Sequence, residues 1–306
     1  MARALVAGGG GFVGSALVRL LADKGHDVST MTTGTTSSRP GVRIVRIAHW
    51  HPREVTHAEP GARYDWIFNL AAYGVDPGQS DAEASRLANT ELPLTFVELA
   101  QRSGAHAFVH TGSAFEYAEP TGRQRLRETD PLEAVKQYGG AKAAGSLGVV
   151  EAARRIGVRA IVARLFGVYG EGERAWRLLP SLHARLSRGE AVPLTEGSQV
   201  RDFLYVADAV AGLVALAEGA SPGIVNLCSG EGVAVRAFAE AVADAMKAPR
   251  ALLRFGAIPM RPHEIPYLVG DTSRLHDVTD WRPAISLADG VAAATAALSA
   301  RNRSAD

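Results

Sequence analysis

A single cysteine, Cys228, among 306 residues excludes any disulfide within the chain, and a reducing, cytoplasmic setting is the expectation. Charge imbalance is missing too. Lys plus Arg number 33 and Asp plus Glu 32, so nothing electrostatic favours nucleic acid or an anionic membrane as a partner. No apolar run reaches the roughly 18 residues of a membrane span. The apolar segment inside MARALVAGGGG is too short for a secretory signal, so export is not expected. His49, His51, His57 and Glu59 match no compact ligand spacing, and no metal is expected. Lysine is scarce, with 4 against 29 arginines. Internal repeats and low-complexity tracts are lacking.

What is present is ample core material: 47% of residues are apolar. The organisation is strand and helix in alternation. ARALVAG is a short apolar run ending in glycine, as a buried parallel strand requires. FVGSALVRLLADKGH follows with Val13, Leu17, Leu20 and Leu21 at helical spacing. DVSTMTT, VRIVRI, YDWIFNLAA, AFVHTGS and RAIVARLFGVYG read as further strands. Helical patterns such as ELPLTFVELAQRSG and GGAKAAGSLGVVEAARRIG lie between them. This alternation predicts an α/β fold with a doubly wound parallel sheet. After about residue 170 eight prolines from Pro180 to Pro283 punctuate shorter elements. A smaller, discontinuous C-terminal region is therefore expected. Residues 1–170 plus 198–228 form the sheet domain in this reading, and 171–197 plus 229–306 the smaller part.

Three features carry chemistry. Gly8, Gly11 and Gly14 form G-x-x-G-x-x-G between the first strand and the first helix. Such a turn aims backbone N–H groups and a helix N-terminus at a phosphate, and a dinucleotide is the expected ligand. Tyr138 and Lys142 in YGGAK lie four apart, on one face of a helix. A nearby ammonium favours the ionised phenol, which could then exchange a proton with a sugar hydroxyl or carbonyl. Close packing against a ligand or a partner helix would explain the glycines around this pair, and so would close packing inside the monomer. Ser113 ends the AFVHTGS run, at the strand edge where doubly wound sheets bind ligands.

With these in order, the chain resembles the extended short-chain dehydrogenase/reductase family, in its nucleotide-sugar epimerase, dehydratase and 4-ketoreductase branch. The resemblance spans roughly residues 3 to 297. It rests on AGGGGFVG, NLAA, TGSAFEY, YGGAK, RLFGVYG, RDFLYVADAV and RPHEIPYLVGDTSRL. It implies a Rossmann fold, a homodimer and a catalytic set of Ser113, Tyr138 and Lys142. The cofactor site it implies comprises Gly8, Gly11, Phe12, Val13, Gly14, Thr32, Thr33, Leu70, Ala71 and Ala72, with Tyr138 and Lys142. The substrate, a nucleotide-diphosphate sugar, is implied to meet Tyr73 and Ser113, with Arg201 and Arg261 on the diphosphate.

Three departures shape the expected activity. The acid that selects NAD at the end of the second strand is replaced by Thr32 and Thr33, followed by Gly34, Thr35, Thr36, Ser37, Ser38 and Arg39. Without a carboxylate to repel a 2′-phosphate, NADP is preferred over NAD. Ala114 and Phe115 stand where the family's 4,6-dehydratases carry Asp-Glu, which argues against water removal. Gly167 stands where many members have asparagine. LAAYGV and FGAIPMRPHE look more like ketoreductases of deoxysugar pathways. The leading expectation is therefore an NAD(P)-dependent 4-ketoreductase. An NAD-dependent 4-epimerase is the alternative, and a non-catalytic cofactor-binding module a remote one.

Overall fold

The computed structural model describes residues 1–34, 39–120, 122–133, 136–262 and 264–303. Six parallel strands come in the first 165 residues: β1 (Arg3–Ala7), β2 (Asp27–Thr32), β3 (Val42–Arg46), β4 (Trp66–Asn69), β5 (Ala107–Ser113) and β6 (Ala160–Leu165). Between and after them run α1 (Phe12–Asp23), α2 (Pro52–Ala58), α3 (Ala82–Arg86), α4 (Leu92–Ser103) and α5 (Gln137–Ile156). The later chain adds β7 (Gly167–Tyr169), α6 (Leu178–Leu186), β8 (Val192–Leu194), β9 (Val200–Tyr205), α7 (Val206–Gly219) and β10 (Gly223–Leu227). It ends with β11 (Gly232–Ala234), α8 (Val235–Ala245), β12 (Leu253–Phe255), β13 (Tyr267–Leu268), α9 (Ser273–Val278) and α10 (Leu287–Arg303).

The central sheet has seven strands in the order β10-β6-β5-β4-β1-β2-β3, and every pairing in it is parallel. Helices cover both faces, so Ala4–Ala7 of β1 is an unbroken apolar run whose residues alternate in which core they join. In β1, Ala4 and Val6 enter one apolar cluster, and Leu5 and Ala7 the other. The first cluster runs from Leu17 through Leu213 to Leu182, Phe238 and Leu253, so the sheet and the later elements share one core. The strand order turns back at β1 and β4. That switch point opens a crevice at the carboxyl ends of the strands, where ligands of such sheets lie.

Two elements differ from the sequence reading. RAIVARLFGVYG does not form one strand. The chain leaves the central sheet after Leu165, and β7 pairs with β9 instead. At Gly167 a Cβ would lie 2.5 Å from the Asp202 carbonyl oxygen, so β9 comes too close for any side chain there. Second, α4 is preceded by a π-helical turn, Leu87–Glu91, which carries Asn89.

Candidate active site

A cleft of about 1020 Å³ lies at the switch point. Its floor begins with the glycines after β1. Gly8 takes φ +84, and a Cβ there would sit 2.9 Å from the Ala71 nitrogen. One on Gly14 would sit 2.2 Å from the Gly8 carbonyl oxygen. These two glycines are demanded by the chain's own packing. Gly11 has another part. It precedes α1 with no side-chain cap, so first-turn N–H groups of Phe12, Val13 and Gly14 meet the cleft they line. Gly10 and Gly11 line the cleft with them. The residues fit a dinucleotide phosphate.

Beside it lie Thr32, Thr33, Gly34 and Trp50. Thr32 is buried, and its hydroxyl accepts from the Gly34 N–H at 3.1 Å. Sequence spacing shows no arginine beside Thr32, yet the parallel register sets Arg46 opposite it. The Arg46 guanidinium donates to the Gly34 carbonyl at 3.2 Å. Arg39 turns to Asp23 instead. Thr35 to Ser38 lie outside the described residues.

Leu70, Ala71, Ala72 and Tyr73 form the next wall. Asn89 clamps this loop: its side chain accepts from the Tyr73 N–H at 3.1 Å and donates to the Tyr73 carbonyl at 2.8 Å. The same π-turn explains a helix glycine. A Cβ on Gly145 would lie 1.9 Å from the Asn89 carbonyl oxygen, and one on Gly139 would lie 2.2 Å from that of Phe115. Both glycines answer to close packing inside the monomer.

The structure brings Ser113, Tyr138 and Lys142 together in the cleft wall. Lys142 is buried, and its ammonium donates to the Thr111 carbonyl at 2.6 Å. Burial lowers its pKa to about 8, against an upward pull from the Glu116 carboxylate. Burial raises the pKa of the half-buried Tyr138 phenol, while a hydrogen bond from the Ser113 hydroxyl pulls it down. Glu116 adds to the rise, and Arg177 opposes it. The expected lowering by Lys142 is not among these influences. Phe115, half exposed, meets the Tyr138 ring edge-on at 6.4 Å.

At the outer end Arg201 lines the cleft, ion-paired with Glu264 and donating to its neighbour's Val200 carbonyl at 2.8 Å. Arg261 is exposed and is not part of the cleft wall. Arg174 and Arg177, which spacing did not single out, do line it. The histidine-rich segment has other duties. His51 caps α2, accepting from the Arg53 N–H, and Glu59 pairs with Arg43. Among the described residues no group of three or more His, Cys, Asp or Glu could hold a metal ion. No helix among them is long and apolar enough to cross a membrane.

A family model described as the NAD dependent epimerase/dehydratase family matches residues 4–228. The chain is 29% identical over 305 residues to a dTDP-6-deoxy-L-talose 4-dehydrogenase (NAD(P)(+)) of Kitasatospora kifunensis, covering 95% of this chain and 93% of that protein. It is 28% identical over 310 residues to a dTDP-glucose 4,6-dehydratase of Streptomyces griseus, covering 95% and 92%. Among solved structures, the UDP-glucose 4-epimerase of Thermotoga maritima with UDP-glucose matches with a TM-score of 0.89 at 21% identity, covering 98% of this chain and 99% of that one. That last likeness establishes the fold. The family match spans the glycine cradle, the Tyr138–Lys142 helix and the strands that bring them together, and the chain belongs to the NAD dependent epimerase/dehydratase family.

Proposed function

We infer that this enzyme reduces the 4-keto group of a nucleotide-activated deoxysugar, with NADP(H) as its preferred cofactor. The observation that carries the reading is the meeting of Ser113, Tyr138 and Lys142 in one cleft with the glycine cradle. A phenol whose pKa is raised by burial stays protonated at neutral pH, as a proton donor must. When bound, the reduced nicotinamide supplies the hydride. Tyr138 then gives its proton to the oxygen of the former carbonyl. The Ser113 hydroxyl donates to that same oxygen as its charge develops. Lys142 has three N–H donors and spends one on Thr111, which leaves two for ribose hydroxyls.

Two further observations support the details. Ala114 and Phe115 put no acid or base beside Tyr138, so water removal has no agent there. Thr32 and Thr33 supply hydroxyls at the ribose end, and Arg46 adds a fixed cation next to Gly34. The 2′-phosphate of NADP is the group that such a set recognises. The relative of Kitasatospora kifunensis, named for both cofactors and for position 4 of a deoxysugar, supports the same class.

The test offers the protein a dTDP-4-keto-6-deoxyhexose with NADPH. Reduction predicts one NADPH oxidised for each keto sugar consumed. Interconversion of UDP-glucose and UDP-galactose with no net cofactor change would make the protein an epimerase and end this reading.

A further inference from the structure

We propose that Glu116 is a positioning residue: it fixes the Ser113 end of β5 against the one face of α5 that carries Tyr138, Lys142 and Ser146. The inference rests on the catalytic reading of Ser113, Tyr138 and Lys142 above. The three α5 residues are spaced by four and form one stripe along the helix. Ser146 is fully buried and donates to a Glu116 carboxylate oxygen at 2.8 Å. The same oxygen accepts from the Ser113 backbone N–H at 2.8 Å. Arg164 on β6 donates to the other oxygen at 2.7 Å, with both side chains fully buried. One carboxylate thus ties a strand end, a helix and the neighbouring strand.

Sterics reinforce the tie. A Cβ on Gly112 would sit 2.5 Å from that first Glu116 oxygen, so glycine admits the carboxylate behind the strand. The Arg164 guanidinium lies 4.5 Å over the Tyr117 ring. The Tyr117 hydroxyl donates to Asn226 at 2.6 Å, which anchors the assembly to β10. A buried charge pair is costly to assemble, and half of it is costlier still. A plain apolar plug could fill the same space. What only a carboxylate does here is accept from Ser113 and Ser146 together and lend its charge to both catalytic neighbours.

The charged and titratable groups around Glu116 are Arg164 from β6, Tyr138 and Lys142 from α5, and Tyr117 beside Arg164, with the Glu128 carboxylate acting on Tyr117 in turn. His110 faces Lys142, and Arg177 faces Tyr138. The Glu116 charge raises the pKa of both Tyr138 and Lys142. Its removal should therefore move the alkaline limb of turnover to lower pH.

The test uses the full chain in two variants. Ser146→Ala removes one donor without leaving a buried charge unpaired, because Arg164 stays on Glu116. Its turnover should fall about threefold to tenfold, with KM and dinucleotide affinity unchanged. Glu116→Gln combined with Arg164→Met removes both charges. Its alkaline limb should shift down by at least about half a pH unit. A merely structural role predicts lower unfolding temperatures with wild-type turnover per folded molecule and an unmoved limb, and that result overturns the proposal. Tyr138→Phe is run alongside. If that variant keeps its activity, the catalytic reading has failed; if it is inactive while both Glu116-network variants behave as wild type, the positioning role alone has failed.

Discussion

The Lys142 ammonium donates to the Thr111 carbonyl at 2.6 Å, with its side chain sealed from solvent. This contact holds the lysine beside the cleft, but it does not repay the loss of water around the charge. Burial takes its pKa down to about 8. In the unfolded chain the lysine returns to its ordinary value, so the unfolded state binds more protons between about pH 8 and that value. Stability from this group therefore rises with pH across that window.

Lys142→Met should consequently lose at least ~10²-fold in turnover while unfolding no more easily. At pH 7 its stability should equal that of wild type or exceed it by about 1–3 kcal/mol. Denaturant titrations at pH 7 and pH 9 check this, because the advantage should shrink at the higher pH. A variant that is less stable at pH 7 would contradict the assignment of a strained, buried ammonium.

Cofactor choice is tested at Thr32 and Arg46, which face each other across the β2–β3 ladder. Thr32→Asp should lower NADPH affinity relative to NADH by at least ~1.4 kcal/mol, about tenfold, by repelling the 2′-phosphate. Arg46→Ala should act in the same direction and leave NADH affinity alone. Titration of each protein with both reduced cofactors is the measurement. A wild type that already prefers NADH, or an unmoved ratio in both variants, removes the NADP assignment.

At the outer end of the cleft the two candidate diphosphate arginines should separate. Arg201→Ala should weaken nucleotide-sugar binding by about 1.5–3 kcal/mol, as for a lost charge-assisted contact. Arg261→Ala should cost less, because that side chain stands exposed outside the cleft wall. Calorimetric titration with a nucleotide sugar compares them. Equal, negligible losses would place the diphosphate elsewhere.

Two glycines of α5 should part company as well. Gly145→Ala forces a Cβ onto the Asn89 carbonyl and should cost about 2–3 kcal/mol. Gly148→Ala meets only the end of the Leu94 side chain, at 3.1 Å. The helix-propensity gain of about 1 kcal/mol should offset the repacking. Thermal unfolding of both variants decides. Similar losses would mean that the Asn89 contact does not govern Gly145.

Local patterns made much of this legible. The glycine turn, the strand–helix rhythm and the Tyr138–Lys142 spacing are short-range signals, and β1, α1 and α5 formed where their patterns predicted. Ser113–Glu116 carries a capping-box spacing that could have exposed the buried carboxylate, since both reciprocal bonds are made. Ser146 continues the four-residue stripe, but serine on a helix face says nothing until Glu116 meets it. Arg46, Asn89 and the break at Phe166 depend on register and on close approach between segments far apart in sequence. Arg46 becomes relevant only when β3 pairs with β2, and Gly167 only when β9 packs against it. The pKa of Tyr138 was the least accessible, because burial of the ring outweighs the neighbours that spacing reveals.

The account turns on Tyr138 as the proton donor. Tyr138→Phe removes only the phenolic hydroxyl from a ring packed against Phe115 and Gly74. Turnover of a 4-keto-deoxysugar nucleotide should fall by at least ~10²-fold, while NADPH affinity stays within about twofold of wild type. Near-normal turnover in this variant, with the cofactor still bound, would contradict the account.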